Sequence, residues 1–152
     1  MIFRKIACCT DFSENAEVAF DAALELAEKF DASLDIIHVL PQPVSPVISD
    51  IDVPVYSATW ESDDEIHKNI VLKIEEKMRD HFGSKLKRSI KSRFAVLDGH
   101  ISTEIINYLA EHNIDLVVMG SYGFSGMGLV IFGSVAKRVA HRAGCSVMIA
   151  RK

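Results

Sequence analysis

Apolar positions along this chain switch repeatedly between two periods. Residues 2–10 (IFRKIACCT) form a short, mostly apolar run ending at Asp11, the pattern of a buried strand. Over residues 14–30 the spacing changes. Ala19, Ala22, Ala23, Leu26 and Phe30 recur at helical intervals, with Asp11 and Ser13 before them as N-cap residues. Residues 33–40 (SLDIIHVL) read as a second strand. Ile66, Ile70, Ile74, Met78 and Phe82 recur every four residues and predict a helix over 61–82. Acids (Glu61, Asp63, Asp64, Glu65) crowd its start and bases (Lys77, Arg79, His81) its end, as the helix dipole favours, and Gly83 marks a stop. A third strand spans 92–97, closed by Asp98-Gly99. Ile101, Ile105 and Leu109 mark a third helix, and residues 115–119 (DLVVM) a fourth strand. Gly133-Ser134 opens a last helix to Arg142, with Val135, Ala136, Val139 and Ala140 inward, and residues 146–150 (SVMIA) close the chain as a fifth strand.

Strands alternating with helices predict an α/β domain with a parallel sheet covered on both faces. Right-handed crossovers restrict it to a single doubly wound sheet. Such sheets bind ligands beyond the carboxyl ends of their strands, where the strand order reverses. The loops after the first and fourth strands are the chemically richest, which singles out Asp11 and the stretch from Gly120. Residues 41–60 interrupt the alternation. They hold all four prolines (Pro41, Pro43, Pro46, Pro54) and read as a long irregular connection inside the one domain, 1–152.

Composition narrows the function. At 152 residues, 49% hydrophobic and 25% charged, the chain is an ordinary globular domain. A net charge of −4 excludes a broad nucleic-acid or anionic-membrane surface. No apolar run approaches the ~18 residues of a membrane span, and the apolar stretch after Arg4 and Lys5 is too short for a signal peptide. Three cysteines (Cys8, Cys9, Cys145) do not form a disulfide framework, which points to the cytoplasm. Adjacent Cys8 and Cys9 point to opposite faces of a strand and read as packing residues.

The stretch 120–135 (GSYGFSGMGLVIFGSV) follows a strand and opens a helix. Its glycines permit close backbone approach to a ligand. Gly133, Ser134 and Val135 would present free amides at a helix start, where phosphate is favoured. No charged side chain lies between Gly120 and Ala136, so nothing there repels an anion. The spacing is neither a Walker loop nor G-x-G-x-x-G. Glycines serving only a tight crossover are the competing reading. The six histidines (His38, His67, His81, His100, His112, His141) show no metal-ligand spacing. Asp98-Gly99-His100 is a turn, Arg138 and Arg142 are a solvated helix face, and no Gly-x-Ser-x-Gly elbow supplies a nucleophile.

Gly120-x2-Gly123-x9-Gly133-Ser134 resembles the nucleotide-binding motif of the universal stress protein family, in its UspA-like, ATP-binding subgroup. Thr10-Asp11-Phe12-Ser13-Glu14 with Ala16, His38-Val39, residues 115–120 and residues 145–151 are similar to further parts of that family's pattern, so the resemblance runs through nearly the whole chain. It implies a five-stranded parallel sheet of order 3-2-1-4-5, the adenine nucleotide alpha hydrolase-like fold, with ATP, ADP or AMP across the first and fourth strands. Carried over by position, Asp11 matches the acid near the nucleotide, where it would accept from ribose hydroxyls or hold Mg²⁺ indirectly, with Cys9 and Thr10 beside it. Val39 matches the residue whose backbone reads adenine. Met119, Gly120 and Gly123 would line ribose and phosphates. Ser125 and Gly126 match the middle of the phosphate loop, and Gly133, Ser134, Val135 and Ala136 its helix-start end. ATP-binding members often carry basic residues where this chain has Phe124 and Gly128, which points to weaker triphosphate binding, fewer phosphates or Mg²⁺ as screen.

Three functions follow as expectations. The first is a nucleotide-binding stress or signalling module that pairs as a homodimer through 146–150 and serves another protein. The second is a slow ATPase or a phosphoryl- or adenylyl-transfer enzyme using the same pocket. The third is an interaction protein independent of nucleotide. No evident base or arginine finger favours efficient hydrolysis.

Overall fold

Ile6, Ala7 and Cys8 are each fully buried, which requires a strand covered on both faces. They form the middle of β1 (Lys5–Cys9) in a computed structural model that describes residues 2–41, 64–121 and 133–152. The strand starts later than residue 2 because the Asp115 carboxylate takes the amides of Arg4 and Lys5 at 2.8 and 2.9 Å. Phe3 packs edge-on against Phe30 instead of joining the ladder.

Ser13 caps α1 (Glu14–Phe30), its hydroxyl accepting from the Ala16 amide at 3.3 Å. Ala16, Ala19, Phe20, Ala23 and Ala27 are the buried stripe. Small side chains let the helix lie close to the sheet, while Ala22, Leu26 and Phe30 flank it half-buried. Ser13→Ala should cost about 1 kcal/mol and lower the unfolding temperature by about 2–4 °C, read by circular dichroism.

β2 (Ser33–Pro41) is followed by α2 (Asp64–Phe82). Met78 and Phe82 of α2 are buried, Phe82 against Phe20 with ring centroids 4.5 Å apart, but Ile66 and Leu72 are exposed. The four-residue repeat therefore faces the core only in its second half. At 1.5 Å per residue α2 is about 28 Å long. A 3-10 turn at Gly83–Lys85 ends it. β3 (Ser92–Gly99) runs two residues beyond its predicted end, pairing Leu40 with Asp98 and Pro41 with Gly99. Gly99 has φ +137, and a Cβ there would meet the Glu104 side chain at 2.9 Å, so the turn into α3 (Ile101–Glu111) requires glycine.

β4 (Leu116–Gly120), α4 (Ser134–Arg142) and β5 (Ser146–Ala150) complete the chain. All strand pairs are parallel, in the order β3-β2-β1-β4-β5. One core, with Phe20, Phe82, Met78, Ile36 and Val118, lies under α1 and α2. The other, with Ile37, Ile105, Leu109, Val117 and Val139, lies under α3 and α4. Cys8 packs into the first and Cys9 against the second, on opposite faces as expected. Ala140, expected inward, is exposed, and α4 buries only Ala136 and Val139.

Candidate functional site

The strand order reverses at β1, between β2 and β4, and the strands there end at different heights. β1 pairs with β2 as far as Cys9 and Ile37, and the Thr10 amide donates to the Ile37 carbonyl at 2.8 Å. β2 continues to Pro41 alongside β3. Backbone groups alternate sides along a strand. Val39, two residues past Ile37, therefore directs its N–H and C=O to the side that β1 has left, while its side chain is buried under α3 and α4. On the other side Cys8 pairs with Val118. Continuing that register sets Cys9 level with Met119 and Thr10 level with Gly120. The fold thus gathers Cys9, Thr10, Asp11, Val39, Met119 and Gly120 at one mouth.

The exit from β1 is a tightly held turn. The Thr10 hydroxyl accepts from the Phe12 amide and the Asp11 carboxylate from the Ser13 amide, both at 3.0 Å. Phe12 between them has φ +63, a left-handed conformation costing a bulky residue about 1–3 kcal/mol. Its ring lies against His38 (5.1 Å), His81 (6.0 Å) and Phe82 (6.2 Å), and the Lys77 ammonium sits 4.1 Å from its centroid. His38 Nδ1 donates to the Thr10 carbonyl at 2.8 Å. Since a carbonyl only accepts, that nitrogen carries the proton. The residue pattern pointed to Asp11 but not to Phe12 or to the His38 tether. A left-handed phenylalanine has no sequence signature, though His38 beside Val39 was a weak one.

Gly120 has a packing role besides any contact with ligand. A Cβ there would meet the carbonyl oxygen of Asn15 at 2.8 Å and its carbonyl carbon at 2.9 Å. The two ends of the glycine loop are joined, for the Gly133 amide donates to the Ser121 carbonyl at 2.7 Å. This corrects the expectation that Gly133 offers a free amide. Ser134, Val135 and Ala136 begin α4, which has no side-chain cap; their amides have no intrahelical acceptor. Ser134 is exposed, Val135 half-buried and Ala136 buried. Gly123, Ser125 and Gly126, with Phe124 and Gly128, lie outside the described residues, as does nearly all of 41–60.

Burial, with Cys145 nearby as a lesser cause, pushes the Cys9 thiol up to about 12, so it stays protonated and unreactive at neutral pH. Behind the turn, Glu17 accepts from His81 and Lys85, and Lys85 also reaches Asp21 at 3.3 Å. Burial opposes the Glu17 charge, but the Lys85 and His81 hydrogen bonds outweigh it and hold its carboxyl below the usual value. That cluster anchors α2 to α1. Among the described residues no three His, Cys, Asp or Glu gather as metal ligands.

The family model described as the universal stress protein family matches residues 2–151. A universal stress protein of Methanocaldococcus jannaschii is 31% identical, covering 99% of this chain and 84% of its own length. Universal stress protein YxiE of Bacillus subtilis is 30% identical, covering 99% and 100%. Among solved structures, UspA from Lactobacillus plantarum superposes with a TM-score of 0.77 at 23% identity, over 99% of both chains. A universal stress protein in complex with cAMP superposes at 0.66 and 19% identity, over 99% and 98%. One from Archaeoglobus fulgidus in complex with dAMP superposes at 0.58 and 19% identity, over 99% and 100%.

Proposed function

The chain belongs to the universal stress protein family, and from that premise we propose that it is a binding module for an adenine nucleotide in stress response or signalling. The observation that carries this reading is the uneven height of the strands. With β1 ended and β2 continuing, the Val39 backbone offers a donor and an acceptor beside the Asp11 turn, a pair suited to the adenine edge. Asp11 then accepts from ribose hydroxyls. The amides of Ser134 to Ala136, with those of Gly123 to Gly126, receive phosphate. The complexes of two structural neighbours with cAMP and dAMP support an adenine ligand.

The loop supplies amides and hydroxyls but no cation from Gly120 to Ala136, so AMP binds at least as well as ATP. Asp11 spends an oxygen on the Ser13 amide and has no cluster of further ligands among the described residues. Mg²⁺ would therefore be held chiefly by nucleotide phosphates and water, screening their charge. The reading leans to binding, with at most slow ATP hydrolysis or autophosphorylation, and the raised Cys9 thiol supports it because that group is no nucleophile at neutral pH. β5 is an outer strand with Met148 exposed, which supports homodimer pairing through 146–150. No helix among the described residues is long and apolar enough to cross a membrane, and the free, sparse cysteines favour a reducing compartment such as the cytoplasm.

Titration calorimetry with AMP, cAMP, ATP and Mg-ATP tests the reading. Wild type should take up one nucleotide per chain. Asp11→Asn keeps the acceptor for Ser13 but removes the charge, and should weaken AMP about tenfold or more. Absence of heat with every nucleotide would leave a nucleotide-independent interaction protein, and steady release of ADP or pyrophosphate from ATP would favour the enzyme.

A further inference from the structure

We infer that His38 is a positioning residue for the nucleotide site, acting through the Thr10 carbonyl and the Phe12 ring on the two backbone segments that meet the ligand. The inference rests on the nucleotide reading above and adds a residue to that site.

Asp11 is held between two residues that are both tied down from behind. On one side, the Thr10 amide is bonded to Ile37 and its carbonyl to His38 Nδ1, each at 2.8 Å. Both partners lie on β2, immediately before Val39. On the other side, Phe12 is in the left-handed region, and its ring is fixed partly by the His38 ring at 5.1 Å. One imidazole therefore binds the end of β1 to the end of β2 and also supports the strained residue that follows Asp11. If it is lost, the ladder ends at the Thr10 amide, the Thr10 carbonyl loses its side-chain donor, and Phe12 loses one wall. The Asp11 carboxylate and the Val39 backbone would then vary in separation, which two-point recognition of one nucleoside cannot tolerate. His38 lies under the α1 and α2 face, level with Phe12, while the Val39 side chain points to the opposite face. It acts through the backbone and is not itself assigned a ligand contact.

Two substitutions separate positioning from general packing. His38→Phe keeps an aromatic ring beside Phe12 but removes the donor. His38→Asn removes the ring but places an amide N–H near the Nδ1 position. Calorimetry with AMP and ATP should show His38→Phe weakening both nucleotides by a similar factor of about ten, the size of one hydrogen bond. His38→Asn should stay within about threefold of wild type. Equal losses in the two variants, or wild-type affinity in His38→Phe, would overturn the proposal. A ligand-free readout keeps it independent of the nucleotide assignment. Hydrogen exchange of the Phe12 and Ser13 amides, bonded to Thr10 and Asp11, should speed up about tenfold in His38→Phe and by no more than about threefold in His38→Asn, which loses only the ring wall. Unchanged exchange in His38→Phe overturns the tether whatever the ligand. Wild type that binds neither nucleotide overturns the nucleotide reading and with it the positioning role, while the exchange result still reports the tether.

Discussion

Gly120→Ala should lower the unfolding temperature by about 5–10 °C, and Gly120→Val by more. The added Cβ would sit 2.8 Å from the Asn15 carbonyl oxygen and 2.9 Å from its carbonyl carbon. Those are backbone atoms in the first turn of α1, not the tip of a side chain that can swing away. Relief requires the whole helix start to move off the end of β4. Overpacking of this kind costs typically 1–3 kcal/mol, and for a chain of this size each kcal/mol is about 2–4 °C. Gly144→Ala is the control, because its Cβ would meet nothing within 4 Å. Thermal unfolding followed by circular dichroism should place Gly144→Ala at or slightly above wild type. If Gly120→Ala unfolds alongside that control, the close approach of β4 and α1 is wrong. The same displacement would carry Ser13 and the Asp11 turn with it, so nucleotide affinity should fall together with stability.

That double duty explains what the residue pattern could and could not say about the site. The glycine was legible as a position of close backbone approach, but a bare residue type does not say what approaches. Here Asn15 approaches from one side, and the family resemblance assigns a ligand to the other. The same holds for Gly133. Its place at a helix start was readable from Gly-Ser before an apolar repeat, but its hydrogen bond to Ser121 depends on how the loop returns, which no local signal encodes. Strand and helix identity was legible because apolar period is local: Ile6, Ala7 and Cys8 in a row announce a strand buried on both faces. Element ends were less so. β3 runs on to Gly99 because β2 continues beside it, and β1 starts at Lys5 because Asp115, 110 residues away, takes its amide. The exposed Ile66 on α2 shows the converse, a periodic apolar face longer than the surface that covers it among the described residues.

Alkali should unfold this protein through buried thiol and phenol groups, one at the site mouth and one away from it. Burial is the first cause that pushes the Cys9 thiol from its ordinary 9.0 up to about 12, with Cys145 adding to it. Burial, then the hydrogen bond to Asp35 at 2.9 Å, lifts Tyr108 from 10.0 to about 12. Both pKa values are raised by folding. Between the ordinary and raised values the unfolded chain has released protons that the folded chain retains, so stability falls as pH rises. The stabilisation is fully present below about pH 9 and is lost as pH approaches 12. At about 1.4 kcal/mol for each pH unit, Cys9 accounts for about 4 kcal/mol, and Tyr108 for a smaller share because solvent screens part of its shift. Urea unfolding at successive pH values should give a flat stability near neutrality and a steep decline above pH 9. Cys9→Ala should make the first part of the decline shallower by about 1.4 kcal/mol per pH unit, leaving the share of Cys8, whose thiol burial also raises. Tyr108→Phe should lower stability at neutral pH, because it leaves the buried Asp35 without its hydroxyl donor, and should make the decline shallower only from about pH 10 upward. A decline identical in wild type and Cys9→Ala would mean that Cys9 titrates near its ordinary value. That result would place a reactive thiol, not an inert packing residue, at the mouth beside Thr10 and Asp11.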